Sequence, residues 1–214
     1  MSQRRNLHDH FFREAKRNGY RSRAAYKLLE IDDKRDILHK NDCVLDLGAS
    51  PGSWLQVASQ KVGPKGKVIG VDLKAIDASL PENVITVQHD VNELTLEHLG
   101  FSTVFDVILS DMAPDTTGNR TIDHHGSARL CHTALDLASH FLRPGGNLVM
   151  KVLEGEAYRA LLDRAGDCFS TARGYKPKAS RAISTEMYIV CTSRSEKMPK
   201  QIIVTPPPPT PGWD

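Results

Sequence analysis

Long apolar runs are missing from this chain. No stretch approaches the roughly 18 uncharged apolar residues that a membrane-spanning helix needs, and the amino end lacks the apolar segment of an export signal. Cysteine is sparse: Cys43, Cys131, Cys168 and Cys191 stand singly, with no CxxC spacing. The expectation is a soluble, reduced, cytoplasmic protein with no membrane partner. The GxGxxG fingerprint of dinucleotide binding is absent too; the glycine turn that follows the first apolar run reads GxxxG with Pro51 inside it, which speaks against NAD. Acidic residues are almost absent from two segments. Residues 1–27 hold eight bases against two acids, a surplus of six that leaves the rest of the chain at −4 within an overall +2. RGYKPKASR (173–181) has four cations and no acid.

What is present has the size of one domain: 214 residues, 40% hydrophobic and 25% charged. The sequence divides into a basic arm (1–20), a single domain (21–194) and a mobile tail (195–214) with the run PPPPTP. Apolar, β-branched runs at 43–47, 67–73, 84–88, 106–112, 147–153 and 186–192 predict strands, with helices between most of them. Their apolarity is continuous rather than alternating, as in a parallel sheet covered on both faces. Gly63-Pro64-Lys65-Gly66 ends the first crossover helix, and Arg143-Pro144-Gly145-Gly146 separates a helix at 127–142 from the next strand. An amphipathic helix is predicted at 22–37, with Ser22 as N-cap and Lys27 near its start.

The turn DLGASPGSW (46–54) lies where a parallel sheet presents its carboxyl edge, and Gly48 and Gly52 let its backbone approach a ligand. Asp72 ends the next strand, about 20 residues on, where a carboxylate accepts ribose hydroxyls. Asp90 follows the third strand, placed for an adenine amine. Three successive strand ends of this kind describe a nucleoside pocket without a pyrophosphate, and S-adenosylmethionine fits it. Single aspartates at strand ends are commonly caps; the order of the three favours the pocket.

DLGASPGSW, SDMAP (110–114), VMKVLEGE (149–156) and SRAISTEMYIV (180–190), preceded by RSRAAYKLLEI (21–31), resemble the FtsJ/RrmJ family of ribose 2′-O-methyltransferases, of the bacterial RlmE type. The likeness runs from about Tyr20 to Thr192. It implies a Rossmann-like class I methyltransferase fold: a mostly parallel, seven-stranded α/β sheet with an antiparallel last strand and helices on both faces. It also implies S-adenosylmethionine as cofactor and a uridine ribose of large-subunit (23S) ribosomal RNA, or the large ribosomal subunit, as substrate. The family's catalytic set carries over to Lys27, Asp111, Lys151 and Glu186, and its cofactor contacts to Gly52, Trp54, Asp72, Asp90 and Asp111, beside Asp46 and Gly48 of the same turn. Ser53 stands where the family often has a second glycine.

The chemistry gives these residues independent reasons. Methyl transfer to a hydroxyl is an in-line displacement in which alignment dominates, followed by proton removal. A free lysine, with a pKa of about 10.4, is neutral in fewer than about one molecule in a thousand at pH 7. Lys151 therefore needs Lys27, a sulfonium and desolvation to become a base, with Asp111 and Glu186 orienting it. Taken singly, each has a plainer reading: a strand-end lysine, a turn aspartate, an edge glutamate, a surface lysine. Trp54 alone could be core. Arg21, Arg23, Lys176, Lys178 and Arg181 are the candidate RNA contacts, with Tyr20, Tyr26 or Tyr175 stacking on a base. A ribose hydroxyl exists in RNA and not in DNA. A monomer without metal is expected, because HDH (8–10) and DHH (123–125), with Cys131 and His132, match no standard zinc spacing and read as solvated loops. Transfer RNA as substrate, a non-catalytic ribosome-assembly factor on the same scaffold, and a methyltransferase for small molecules or proteins stay open beside this reading.

Overall fold

The computed structural model describes residues 2–76, 79–100, 104–180 and 184–197. Its centre is a seven-stranded sheet of β1 (Cys43–Leu47), β2 (Lys67–Asp72), β3 (Val84–Gln88), β4 (Phe105–Ser110), β5 (Leu142–Leu153), β6 (Phe169–Tyr175) and β7 (Glu186–Arg194). The strand order is β3-β2-β1-β4-β5-β7-β6; β7 runs antiparallel to both neighbours and the first five strands are parallel. This is the Rossmann-like arrangement expected. The helices are α1 (Ser2–Arg17), α2 (Ala24–Arg35), α3 (Ser53–Val62), α4 (Arg120–Phe141) and α5 (Tyr158–Cys168). No described helix is long and apolar enough to cross a membrane.

Both faces of the sheet are buried, which explains the continuous apolar runs. Leu45, Leu47, Ile108, Leu148 and Met150 pack under α4 and α5, against Cys131, Leu135, Leu161 and Ala165. Val44, Val68, Leu109, Val149 and Val190 pack under α2 and α3, against Leu28, Ile31, Leu55 and Val57. Full burial of each such side chain stabilises by roughly 1.5–3 kcal/mol. Because side chains alternate along a strand, Asp46, Asp111, Lys151, Glu186 and Tyr188 all fall on the α2/α3 face.

Several elements differ from the sequence reading. The sequence reading places no strand at 169–175 and takes 173–181 as a basic stretch; 169–175 forms β6, an edge strand whose exposed residues Ser170, Thr171, Arg173 and Gly174 leave no apolar run. Helix α4 begins seven residues earlier than predicted, because Asn119 caps it by accepting the Thr121 and Ile122 amides. Arg143-Pro144-Gly145-Gly146 does not precede β5 but bulges within it, between the pairs Phe105↔Leu142 and Val107↔Asn147. Helix α2 stops at Arg35, where Asp36 turns left-handed, and the Asp32 carboxylate takes the next two amides, of Ile37 and Leu38. Arg23 occupies its N-cap position, with the Ser22 hydroxyl accepting from the Ala24 amide just ahead of it. Within the basic segment 1–20 the chain forms α1, which buries Ala15 and sets Phe11 on Tyr26, 5.6 Å between ring centres. The proline-rich run lies outside the described residues.

Contact between β2 and α3 is unusually close. A Cβ on Gly70 would lie 2.8 Å from Leu55 Cδ2 and 2.9 Å from Ala49 Cβ. Gly70→Ala is therefore expected to destabilise by about 1–3 kcal/mol through overpacking. Urea denaturation checks this, and an unchanged midpoint would show that α3 yields freely.

Candidate functional site

The sheet's carboxyl edge is organised by the loop between β1 and α3. Gly48 and Gly52 have φ of +75° and +101°, where side chains are strained. A Cβ on Gly48 would meet Met112 Cγ at 2.7 Å, so the loops after β1 and β4 touch here. The Gly48 and Ala49 amides donate to Val71 O, at 2.8 and 3.1 Å. Asp72 accepts the Ser50 amide on Oδ2 at 2.9 Å and the Lys74 amide on Oδ1 at 2.8 Å. Asp72 thus fixes the glycine loop as well as facing the edge. Asp90 caps the short 3₁₀ turn after β3, its Oδ1 accepting from the Asn92 amide and side chain. Gly48, Gly52, Asp72 and Asp90 lie in order along three neighbouring strand ends.

Asp46 lies deepest. It is fully buried, and neither carboxylate oxygen has a hydrogen-bond partner. Burial, reinforced by the charges of Asp111 and Asp72, holds its carboxyl well above the usual range. Such an orphaned acid beside a glycine cradle fits a cationic ligand, and a sulfonium with an amino group is one.

The four catalytic candidates converge: strand register brings Asp111, Lys151 and Glu186 together, and the seating of α2 on the sheet adds Lys27. Ser110 pairs with Met150, Lys151 with Tyr188 and Leu153 with Glu186. Lys151 Nζ lies 3.0 Å from Asp111 Oδ1 and also donates to the Asp111 carbonyl. Lys27 Nζ lies 2.6 Å from Glu186 Oε1. The two ion pairs are joined by a residue that the sequence reading missed: Tyr188 is fully buried, with its hydroxyl 2.8 Å from Asp111 Oδ1 and 3.4 Å from Glu186 Oε1. Burial above all, then the charges of Asp111 and Glu186, pushes its phenol well up. It therefore keeps a proton to donate. Ser180 adds a hydrogen bond to Glu186 Oε1 at 2.9 Å. A signal for Tyr188 existed only as period 2 from Glu186, in a strand that reads as core.

Trp54 is buried rather than open to a ligand. Its indole N–H donates to Ala24 O at 2.8 Å and its ring lies 5.7 Å from that of Tyr188, so it seats α2, and with it Lys27, on the sheet. Arg21, read as a phosphate contact, sits on the glycine loop: Nη1 donates to Pro51 O at 3.2 Å, and a Cβ on Gly52 would meet Arg21 Cδ at 3.2 Å. Arg23 is half-buried at the start of α2. Lys176 and Lys178 are exposed beyond β6, where Glu30 of α2 holds the connection by accepting the Tyr175 hydroxyl and the Lys178 amide. Arg181 lies outside the described residues. The tyrosines expected to stack on RNA are already engaged: Tyr20 with Gln60 and the Tyr26 ring, Tyr26 with Asn18, Tyr175 with Glu30. The DHH segment is not a solvated loop; Asp123 and His124 are buried in the first turns of α4. Among the described residues no group of His, Cys, Asp or Glu is arranged to hold a metal.

Comparison with known proteins follows the same lines. The sequence model of the FtsJ-like methyltransferase family matches residues 20–194. A ribosomal RNA large subunit methyltransferase E from Syntrophobacter fumaroxidans is 45% identical over 190 residues, 86% of this chain and 94% of that protein. One of the same name from Bdellovibrio bacteriovorus is 42% identical over 193 residues, 88% and 98% of the two chains. The crystal structure of a ribosomal RNA methyltransferase from Plasmodium falciparum superposes with a TM-score of 0.72 at 32% identity, covering 82% of this chain and 98% of that one. The chain belongs to the FtsJ-like methyltransferase family.

Proposed function

We propose that the protein transfers a methyl group from S-adenosylmethionine to the ribose 2′-hydroxyl of a uridine in large-subunit ribosomal RNA, with Lys151 as general base. The observation that carries this is the pair of amines held against two carboxylates by Tyr188, beside a glycine loop with an orphaned acid. The names of the relatives support the choice of RNA.

The glycine loop at Gly48 and Gly52, together with Asp46, Asp72 and Asp90, would hold the cofactor, and Asp111 borders it; Trp54 supports the floor. When bound, S-adenosylmethionine supplies an electrophilic methyl on a sulfonium. Two of the three hydrogen-bonding directions of Lys151 Nζ are spent on Asp111, which leaves one to exchange a proton with the substrate hydroxyl. The proton of the ribose hydroxyl would pass to that position of Lys151 Nζ as the oxygen takes the methyl. Lys27, paired with Glu186, places a second cation in the same network. Arg21, Arg23, Lys176, Lys178 and Arg181 would contact phosphates, and the 2′-hydroxyl itself distinguishes RNA from DNA.

Three outcomes are expected. Lys151→Ala lowers kcat by about 10²–10⁴-fold in tritiated-methyl transfer to ribosomal RNA from a strain lacking the gene, while cofactor binding in calorimetry is unchanged; retained turnover would exclude it as the base. Charge reversal at Lys176 and Lys178 weakens RNA binding and lowers the salt slope by about 1 per lost phosphate contact with cofactor affinity intact, whereas reversal at Arg21 also weakens the cofactor. Equal cofactor affinity in the Arg21 variant would separate that residue from the loop.

The third concerns Asp46. A carboxyl whose folded pKa is raised contributes stability at low pH that is lost as pH rises through that value. In the cofactor-free protein, Asp46→Asn should thus flatten the fall of Tm as pH rises above the ordinary carboxylate range, raising Tm at neutral pH, and weaken S-adenosylmethionine binding. A lower neutral Tm together with full cofactor affinity would contradict the assignment.

A further inference from the structure

Helix α4 lies on the face of the sheet opposite the candidate catalytic side chains, yet its first half grips the backbone that carries them. His124, buried, has Nδ1 2.7 Å from Leu153 O and Nε2 2.9 Å from the Ala157 amide. A carbonyl only accepts and an amide only donates, so the ring is fixed with its proton on Nδ1. The ring also fills the space over Gly155, which a Cβ there would enter. One turn on, Ser127 Oγ accepts the Leu153 amide at 2.9 Å; one turn further, Cys131 Sγ–H donates to the carbonyl of Lys151 itself, also at 2.9 Å. Positions 124, 127 and 131 form one stripe of the helix, laid along the end of β5.

A second stripe meets the other arm. A Cβ on Gly126 would lie 2.9 Å from Pro114 Cβ, three residues beyond Asp111. Asp123 accepts the Thr117 amide and hydroxyl, at 2.7 and 2.9 Å, and the Gly118 amide at 3.2 Å, so it ties down the loop that Pro114 enters. One rigid element thus holds the segment after Asp111 and the segment around Lys151 in fixed relation.

We propose that the amino-terminal half of α4 is a bracket that sets the Lys151–Asp111 pair, with His124 and Gly126 as positioning residues. This rests on the methyltransferase reading, because the distance between the amine and the carboxylate is what the bracket serves. The hydrogen bonds of Asp123, His124, Ser127 and Cys131 reach mainly backbone atoms of the two arms, so loosening those at positions 123 and 124 shifts the pair without emptying the core. Gly126 is the more revealing position. It lies inside a helix at ordinary φ, where alanine is the better helix former. Its methyl must displace Pro114 in either case; a purely structural role predicts that Gly126→Ala costs Tm while kcat is kept, whereas the bracket predicts that Pro114 carries Asp111 with it and kcat falls.

The test uses the full chain in single-turnover methyl transfer to ribosomal RNA, with RNA KM, cofactor affinity and Tm measured alongside. Gly126→Ala and His124→Gln are each expected to lower kcat by about ten-fold or more, measured well below each variant's Tm, with KM and cofactor affinity unchanged. Cys131→Ser, which keeps a donor for Lys151 O, should hold kcat above that of Cys131→Ala. Wild-type kcat in both the Gly126 and His124 variants would overturn the bracket, as would losses that simply follow Tm or cofactor affinity. A wild-type protein that transfers no methyl group would refute the functional reading alone. Hydrogen exchange then still decides the bracket: the Leu153 and Ala157 amides are expected to be protected in the wild type and to lose protection in His124→Ala, and unchanged protection would overturn it.

Discussion

One buried phenol carries the arrangement on which everything else depends. Tyr188 is paired with Lys151 across two antiparallel strands, and its hydroxyl lies between the carboxylates of Asp111 and Glu186, each of which holds a lysine. Buried ion pairs are poor sources of stability, since desolvation offsets most of their attraction, and removing one partner strands the other. Four nearly buried charges in one network are thus better explained by chemistry than by folding. The neutral donor between them lets two acids sit close together without a metal or a third cation. Trp54 completes the support from below by seating both the Tyr188 ring and the first turn of α2.

Charge around this network is divided by location. Among the described residues of the carboxyl edge, acids outnumber bases: Asp46, Asp72, Asp90, Asp111 and Glu186 stand with Lys27, Lys151 and, on the glycine loop, Arg21. That balance suits a cationic ligand within the sheet edge. The bases that suit a polyanion lie outside it, ahead of α2 and beyond β6, on segments fastened to the core by Arg21 on Pro51 O and by Glu30 on Tyr175 and Lys178.

Much of this was legible in the sequence. Parallel strands buried on both faces announce themselves as unbroken apolar runs, and the glycine turn and strand-end aspartates are chemically conspicuous. The four-residue set came from family resemblance; nothing in the spacing of Lys27, Asp111, Lys151 and Glu186 brings them together, and only strand register with the packing of α2 does. What escaped has physical reasons. β6 is an edge strand with most of its residues exposed. The first turns of α4 are polar because they serve backbone groups, so DHH looks like loop. Tyr188 hides as one more apolar residue in a core strand, and Trp54 and Arg21 are committed to partners far away in sequence.

The most direct test is a crystal structure of the protein with an S-adenosylmethionine analogue bearing an amine in place of the sulfonium methyl. That amine is expected beside Asp111 and Lys151, with the glycine loop closed over the ligand, Asp46 no longer without a partner, and both ion pairs still joined through Tyr188. A ligand bound away from the edge between β1 and β4, or Lys27, Asp111, Lys151 and Glu186 dispersed around it, would contradict the assignment.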